Sequence, residues 1–305
     1  MIMAWEPYYR GDNIARDVTL PVPPPWRRFP LTEKRSASTF QPPPGLVDAV
    51  NAALCLHRPL LLTGPPGSGK STVVDSIATE LKLGTVLRWH ITSRSTLTDA
   101  LYRYDALGRL DATQHDEADD IGRFVELGPL GTALLPGDRP RAVLIDEIDK
   151  SDIDLPSDLL NVLERGEYAI PELSRHKTEQ IKVRRAGGEG TVLISNGKVR
   201  CTTFPVIVMT SNGERDFPAP FLRRCIRFEV PKPDVDDLTR IVGAHLGDKA
   251  AAQAGDLLTS FMQELTSGRT VATDQLLNAI YLVNGLEGEQ RQALSKLLLR
   301  ALSEA

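Results

Sequence analysis

Cysteine is scarce in this chain: Cys55, Cys201 and Cys225 are the only three among 305 residues. Thiols so few and so scattered exclude a disulfide scaffold and a zinc cluster, and a reducing compartment is the simpler expectation. Long apolar runs are missing too. No stretch approaches the roughly 20 residues a membrane helix needs, and the opening MIMAWEPYYRGDN lacks the basic-then-apolar layout of a secretory signal. We therefore expect a cytoplasmic protein with no membrane partner. Nor does one sign of charge dominate: 36 Lys and Arg against 40 Asp and Glu give a formal net charge of −4. No global field draws the chain to nucleic acid or anionic lipid, although local basic patches stay open. No internal repeat is evident. What remains, 41% hydrophobic and 25% charged residues, is ordinary for a globular chain long enough to bury a core as one large or two modest domains.

The stretch LLLTGPPGSGKST, Leu60 to Thr72, is the first positive signal. Leu60, Leu61 and Leu62 fit a short buried strand, and Gly64 to Ser71 then match the GxxxxGK[ST] phosphate-loop pattern in full. Glycines let backbone N–H groups turn toward phosphate oxygens at the positive end of a helix starting near Lys70. The candidate nucleotide-binding residues are Gly64, Pro65, Pro66, Gly67, Ser68, Gly69, Lys70, Ser71 and Thr72. Lys70 reaches the β- and γ-phosphates of ATP in such a loop, and the Ser71 hydroxyl serves Mg²⁺. A small nucleotide kinase and a mechanical ATPase both carry this loop, so the job is decided downstream.

There, Ala142-Val-Leu-Ile-Asp-Glu147 delivers two adjacent carboxylates to the C-terminal end of an apolar strand, the edge where open parallel sheets bind ligands. Asp146 suits nucleotide binding and, with Ser71, the metal shell; Glu147 suits the base that polarises an attacking water. A kinase keeps water out, whereas a hydrolase aims a base at it. A third strand, Pro205 to Asn212, ends in an amide able to hold that water as acceptor and donor together.

Around these motifs the chain divides into three parts. Residues 1–43 form a proline-rich arm around Pro21-Val-Pro-Pro-Pro-Trp26, extended rather than core. Its aromatics, Trp5, Tyr8, Tyr9, Trp26 and Phe29, favour packing on its own domain or on a neighbouring subunit over a free linker. Residues 44–230 alternate strand and helix, with strands at Leu60–Leu62, Ala142–Ile145 and Val206–Met209, a further one within Thr85–His90, and a hairpin insertion at about 168–203. Residues 231–305 are amphipathic helices, with Asp234 and Thr273 as candidate N-caps. The expected fold class is α/β: a P-loop parallel-sheet domain, a C-terminal helical lid domain and the proline-rich arm.

On GPPGSGKS (Gly64 to Ser71), LIDEIDKSD (Leu144 to Asp152), VMTSN (Val208 to Asn212) and PAPFLRRCIRF (Pro218 to Phe228), the chain resembles the AAA+ ATPases, and more narrowly their MoxR-like branch. VELGPLGTALL before the Asp-Glu strand and a helix LPSDLLNVLERGEYAIPE after it are similar to that branch too. The resemblance, spanning about Gly45 to Ala305, implies a ring-forming ATP hydrolase, commonly a hexamer, with nucleotide held between one α/β domain and its neighbour. It gives Arg224 the role of an arginine finger reaching the neighbour's site, with Arg223 as the alternative, and it makes Arg269 a candidate lid contact to nucleotide. It also likens Thr191 to Arg200, turning at Asn196-Gly197, to a pore-facing hairpin. Lys177, Lys182, Arg184 and Arg185, earlier in the insertion, are either a solvated face or a contact for nucleic acid or an acidic protein. The implied partner is a protein client, for this branch often one with a von Willebrand A-type domain. Two other classes stay open: a nucleotide-gated scaffold in a multi-gene system such as bacterial defence, and a nucleic-acid-stimulated motor resembling a clamp loader.

Overall fold

The computed structural model describes residues 12, 14–15, 17–19, 22–27, 39–114, 120–267, 272–284, 286, 293–295 and 297–298. Two compact units emerge, one of residues 42–64 and 70–230, the other of the described parts of residues 1–41, 65–69 and 231–305. The described strands, in chain order, are β1 (Leu60–Thr63), β2 (Leu87–His90), β3 (Tyr102–Tyr104), β4 (Val125–Leu127), β5 (Ala142–Asp146), β6 (Glu167–Ala169), β7 (Gln180–Arg184), β8 (Thr191–Ser195), β9 (Lys198–Arg200), β10 (Val206–Ser211) and β11 (Ile226–Glu229).

In the first unit a parallel five-stranded sheet runs in the order β11-β1-β10-β5-β2. Its central strands read as unbroken apolar runs because both faces are covered, and Leu61, Leu62, Val143, Leu144, Ile145, Val208 and Met209 are fully buried. Register then fixes the chemistry. Leu61 pairs with Met209 and Met209 with Ile145, so the C-terminal ends of β1, β10 and β5 stand side by side. Helix α1 (Leu46–Leu56) precedes the sheet, and α2 (Lys70–Glu80) packs on it through Val73, Val74, Ile77 and Ala78.

Helix α3 (Leu155–Arg165) buries Leu155, Leu159, Leu160 and Leu163, each contributing about 1.5–3 kcal/mol if fully removed from water. It is shorter than the expected LPSDLLNVLERGEYAIPE helix. Gly166 takes φ 61° and gives its N–H to Val162 O at 2.9 Å. The left-handed cap ends the helix, and the chain continues as β6.

The insertion is larger than a hairpin. A second sheet in the same unit orders six strands as β3-β4-β7-β8-β9-β6, antiparallel except at β4 and β7. Along β7, Ile181 and Val183 face inward, while Gln180, Lys182 and Arg184 face solvent. Asn196 (φ 53°) and Gly197 (φ 63°) make the tight turn between β8 and β9.

The second unit contains α4 (Val235–Leu246), α5 (Gly255–Thr266) and α6 (Thr273–Val283), whose facing stripes close a core of Leu238, Val242, Leu258, Phe261, Leu276 and Ile280. Asp234 caps α4 in a reciprocal box with Asp237. Thr273, expected as a cap, is instead the first helical residue of α6, and the Gln275 side chain accepts from the N–H of Ala272 at 2.9 Å. Of the arm, Trp26 packs edge-on to His245 and Tyr281 and donates from Nε1 to Asn278 Oδ1 at 2.9 Å, while the Tyr281 hydroxyl donates to Val22 O at 3.0 Å. That arm aromatic therefore finds partners on the helices of its own unit. Trp5, Tyr8, Tyr9 and Phe29 lie outside the described residues.

Candidate active site

Backbone geometry prepares the phosphate loop before any side chain acts. Gly64 (φ 148°), Gly67 (φ 70°) and Gly69 (φ 80°) all adopt conformations that L side chains rarely take. Gly67 also has no room for one, since an added Cβ would stand 2.6 Å from that of Ala272. At the loop's apex the Ser68 hydroxyl is buried with no hydrogen-bond partner among the described residues. Beyond it, Lys70 opens α2, buried, with Nζ donating to Gly64 O at 2.8 Å. Burial holds its pKa below the usual lysine value, and the charges of Asp149, Asp146 and Glu147 oppose that shift. Pro65 and Pro66 lie within the loop, and Thr72 sits half-buried in the first turn of α2.

Strand β5 brings its carboxylates to this edge. Asp146 Oδ1 accepts from the Ser71 hydroxyl at 2.7 Å and from Thr210 Oγ1 at 2.6 Å, while Oδ2 lies 3.3 Å from His90 Nδ1. One serine and one aspartate oxygen, already adjacent, form a hard donor pair that fits Mg²⁺, a cation that keeps much of its shell as water and phosphate oxygens. Among the described residues no group of three or more His, Cys, Asp and Glu side chains forms a separate metal cluster.

Glu147 has a left-handed backbone (φ 58°), uncommon for a residue with a side chain. Its N–H donates to Thr210 Oγ1 at 2.9 Å, which pins the turn to β10. Its carboxylate spans two groups: Oε2 pairs with Lys150 Nζ at 2.7 Å, and Oε1 lies 3.4 Å from the Asn212 amide nitrogen. Ser71, Asp146, Glu147 and Asn212 are thus brought together.

Arg223 and Arg224 are not in that group. The Arg223 carbonyl accepts from Arg58, and the exposed Arg224 guanidinium pairs with Glu164 and donates to Pro220 O. Arg269 lies outside the described residues. Two residues that motif reading missed stand at the site, Thr210 and Asp149. Asp149 is buried and accepts from the N–H groups of Asn212 (2.8 Å) and Glu214 (3.1 Å). A second acid two residues after Glu147 was the signal available.

Residues 59–225 match the AAA domain of the dynein-related subfamily, and the chain belongs to that family. It is an AAA+ ATPase by family, with a P-loop nucleotide-binding domain of the α/β class. No curated protein matches it significantly. Among solved structures it is similar to NtrX from Brucella abortus in complex with ADP, at 16% identity and TM-score 0.44, over 84% of this chain and 54% of that one. A point mutant of RuvB from Thermotoga maritima matches at 16% identity and TM-score 0.36, over 83% and 74% of the two chains. The chain spans about half the length of NtrX and of a Cytophaga hutchinsonii structure that it also matches, 54% and 52%. No helix among the described residues is long and apolar enough to cross a membrane.

Proposed function

We propose that this chain is a MoxR-like AAA+ ATPase that hydrolyses ATP to remodel, activate or assemble a partner protein, working as a ring-type homo-oligomer, with a hexamer favoured. The observation that carries the reading is the convergence of Lys70, Ser71, Asp146, Glu147 and Asn212 on one sheet edge, with the Glu147 carboxylate and the Asn212 amide 3.4 Å apart, close enough for both to face one water. The orphaned Ser68 hydroxyl at the loop apex supports a phosphate ligand there.

Each residue then has a task. Lys70 exchanges its bond to Gly64 O for phosphate oxygens, its charge set against the negative γ-phosphoryl group. Mg²⁺, held by Ser71 and Asp146, supplies neutralisation of phosphate charge when bound. Glu147 accepts a proton from the water as its oxygen bonds to the γ-phosphorus; the bond from phosphorus to the bridging oxygen breaks, and ADP leaves with that electron pair. Asn212 orients the water. Lys150 must release Oε2 for Glu147 to act at full strength, which makes the present pair a resting arrangement. Arg224, or Arg223, serves in this reading as the finger from a neighbouring subunit, and Arg269 as a lid contact to nucleotide.

A protein client, including one with a von Willebrand A-type domain, is favoured over nucleic acid. Of the four cations facing solvent on β7 and β9, two, Arg184 and Arg200, are already paired with Glu126 and Glu167, which halves the charge left for a phosphate backbone. The test is Glu147→Gln, with phosphate release, binding of a fluorescent ATP analogue and light-scattering mass in Mg-ATP. Turnover is expected to fall at least about 100-fold, as when a general base is lost, with nucleotide binding kept and an ATP-dependent oligomer retained. A variant that hydrolyses like wild type would remove Glu147 from the mechanism.

A further inference from the structure

An acid in the turn after a catalytic strand is ordinarily a solvated side chain. Asp149 is instead 5% exposed, a position where a carboxylate without partners is strongly unfavourable. Its Oδ2 accepts two backbone N–H groups from the turn after β10, those of Asn212 at 2.8 Å and Glu214 at 3.1 Å. Gly213 lies between them at φ 78°, a left-handed conformation that lets both N–H groups converge on one oxygen. Its Oδ1 is buried with no hydrogen-bond partner among the described residues, and of the three carboxylates acting on the buried Lys70 ammonium Asp149 acts most strongly.

Asp149 also shares a 3-10 turn, Ile148–Lys150, with the chain leaving Glu147. The base and the amide are thus tied to one another twice. Thr210, on β10, holds the Glu147 N–H, and Asp149, just after β5, holds the Asn212 N–H. We infer that Asp149 is a positioning residue that sets where Asn212 stands beside Glu147, acting through its grip on the turn after β10. The inference builds on the proposed hydrolytic roles of Glu147 and Asn212.

The test compares Asp149→Ala, Asp149→Asn, Asn212→Ala and the Asp149→Ala/Asn212→Ala pair in the full chain. It reads ATP turnover and hydrogen exchange of the segment 206–215. Losing the acceptor in Asp149→Ala is expected to lower kcat by about 10- to 100-fold, the scale of a misplaced reacting group, with KM moving less than about threefold. Exchange at the Asn212 and Glu214 amides speeds up in parallel. Asp149→Asn keeps an acceptor oxygen, so it restores both protection and most of kcat, and it carries the comparison should the alanine variant fail to fold. In the Asn212→Ala background the second substitution adds little, because both act through one amide. Unchanged exchange in Asp149→Ala, losses that multiply in the double variant, or an Asp149→Asn chain that folds with full protection yet loses turnover would each overturn the inference. Failure of the underlying reading looks different: Asn212→Ala would then turn over like wild type, while the exchange measurement still decides whether Asp149 holds the turn.

Discussion

Cys225 sits in the core of the α/β unit, and burial pushes its thiol up to about 12, although the charges of Arg227 and Arg58 pull the other way. At pH 8 a group with that pKa is about 0.01% thiolate, and the thiolate is the reactive form. Cys201 is half-buried, its pKa also raised by burial, whereas Cys55 is exposed on α1. Alkylation by iodoacetamide at pH 8, followed by peptide mass spectrometry, should therefore modify Cys55 first, Cys201 more slowly and Cys225 only on unfolding. Labelling of Cys225 as fast as Cys55 would contradict its burial. The same balance of burial against charge acts on Lys70, whose pKa desolvation lowers while the charges of Asp149, Asp146 and Glu147 oppose the shift.

At the scale of elements, the turn between β8 and β9 offers a sharp test because Gly197 there combines a left-handed backbone with a steric clash. Gly197 has φ 63°, and an added Cβ would stand 2.4 Å from the Ser174 backbone nitrogen, whereas Gly190, at φ 86°, has open space around it. Gly197→Ala should destabilise the fold by about 1–3 kcal/mol more than Gly190→Ala, since the strain is common to both and the clash is not. Urea midpoints of the two variants check this, and equal midpoints would mean that the turn yields without cost. This hairpin was legible because Asn-Gly between alternating residues is a local signal. β1, β5 and β10 were legible for a similar reason, each being a run of apolar residues buried on both sides. The rest of the second sheet was not. β3, β4 and β6 are three residues each, too short to show a period, and they become strands only through pairings such as Tyr102 with Leu127 and Tyr168 with Val199. Asp149 stood within LIDEIDKSD, but its role was not legible, because its partners are backbone groups more than 60 positions away.

For the whole molecule, the proposed chemistry draws its arginine from a neighbouring chain. Lys70, Ser71, Asp146, Glu147 and Asn212 meet at one edge, while the contacts of Arg224 lie with Glu164 and Pro220. An exposed pair such as Arg224 with Glu164 contributes little to stability, so the guanidinium can exchange its partner for a phosphate at small cost. If that phosphate lies in a neighbouring subunit, two inactive variants should complement one another. Arg224→Ala keeps its base, Glu147→Gln keeps its arginine, and each alone should turn over poorly while binding ATP normally. In a randomly mixed ring about one site in four pairs an intact base with a neighbour's intact arginine, and phosphate release should recover toward that fraction of wild type. An arginine acting within its own chain predicts no recovery at any mixing ratio. Recovery with Arg223→Ala in place of Arg224→Ala would move the finger by one residue and leave the assembly argument standing.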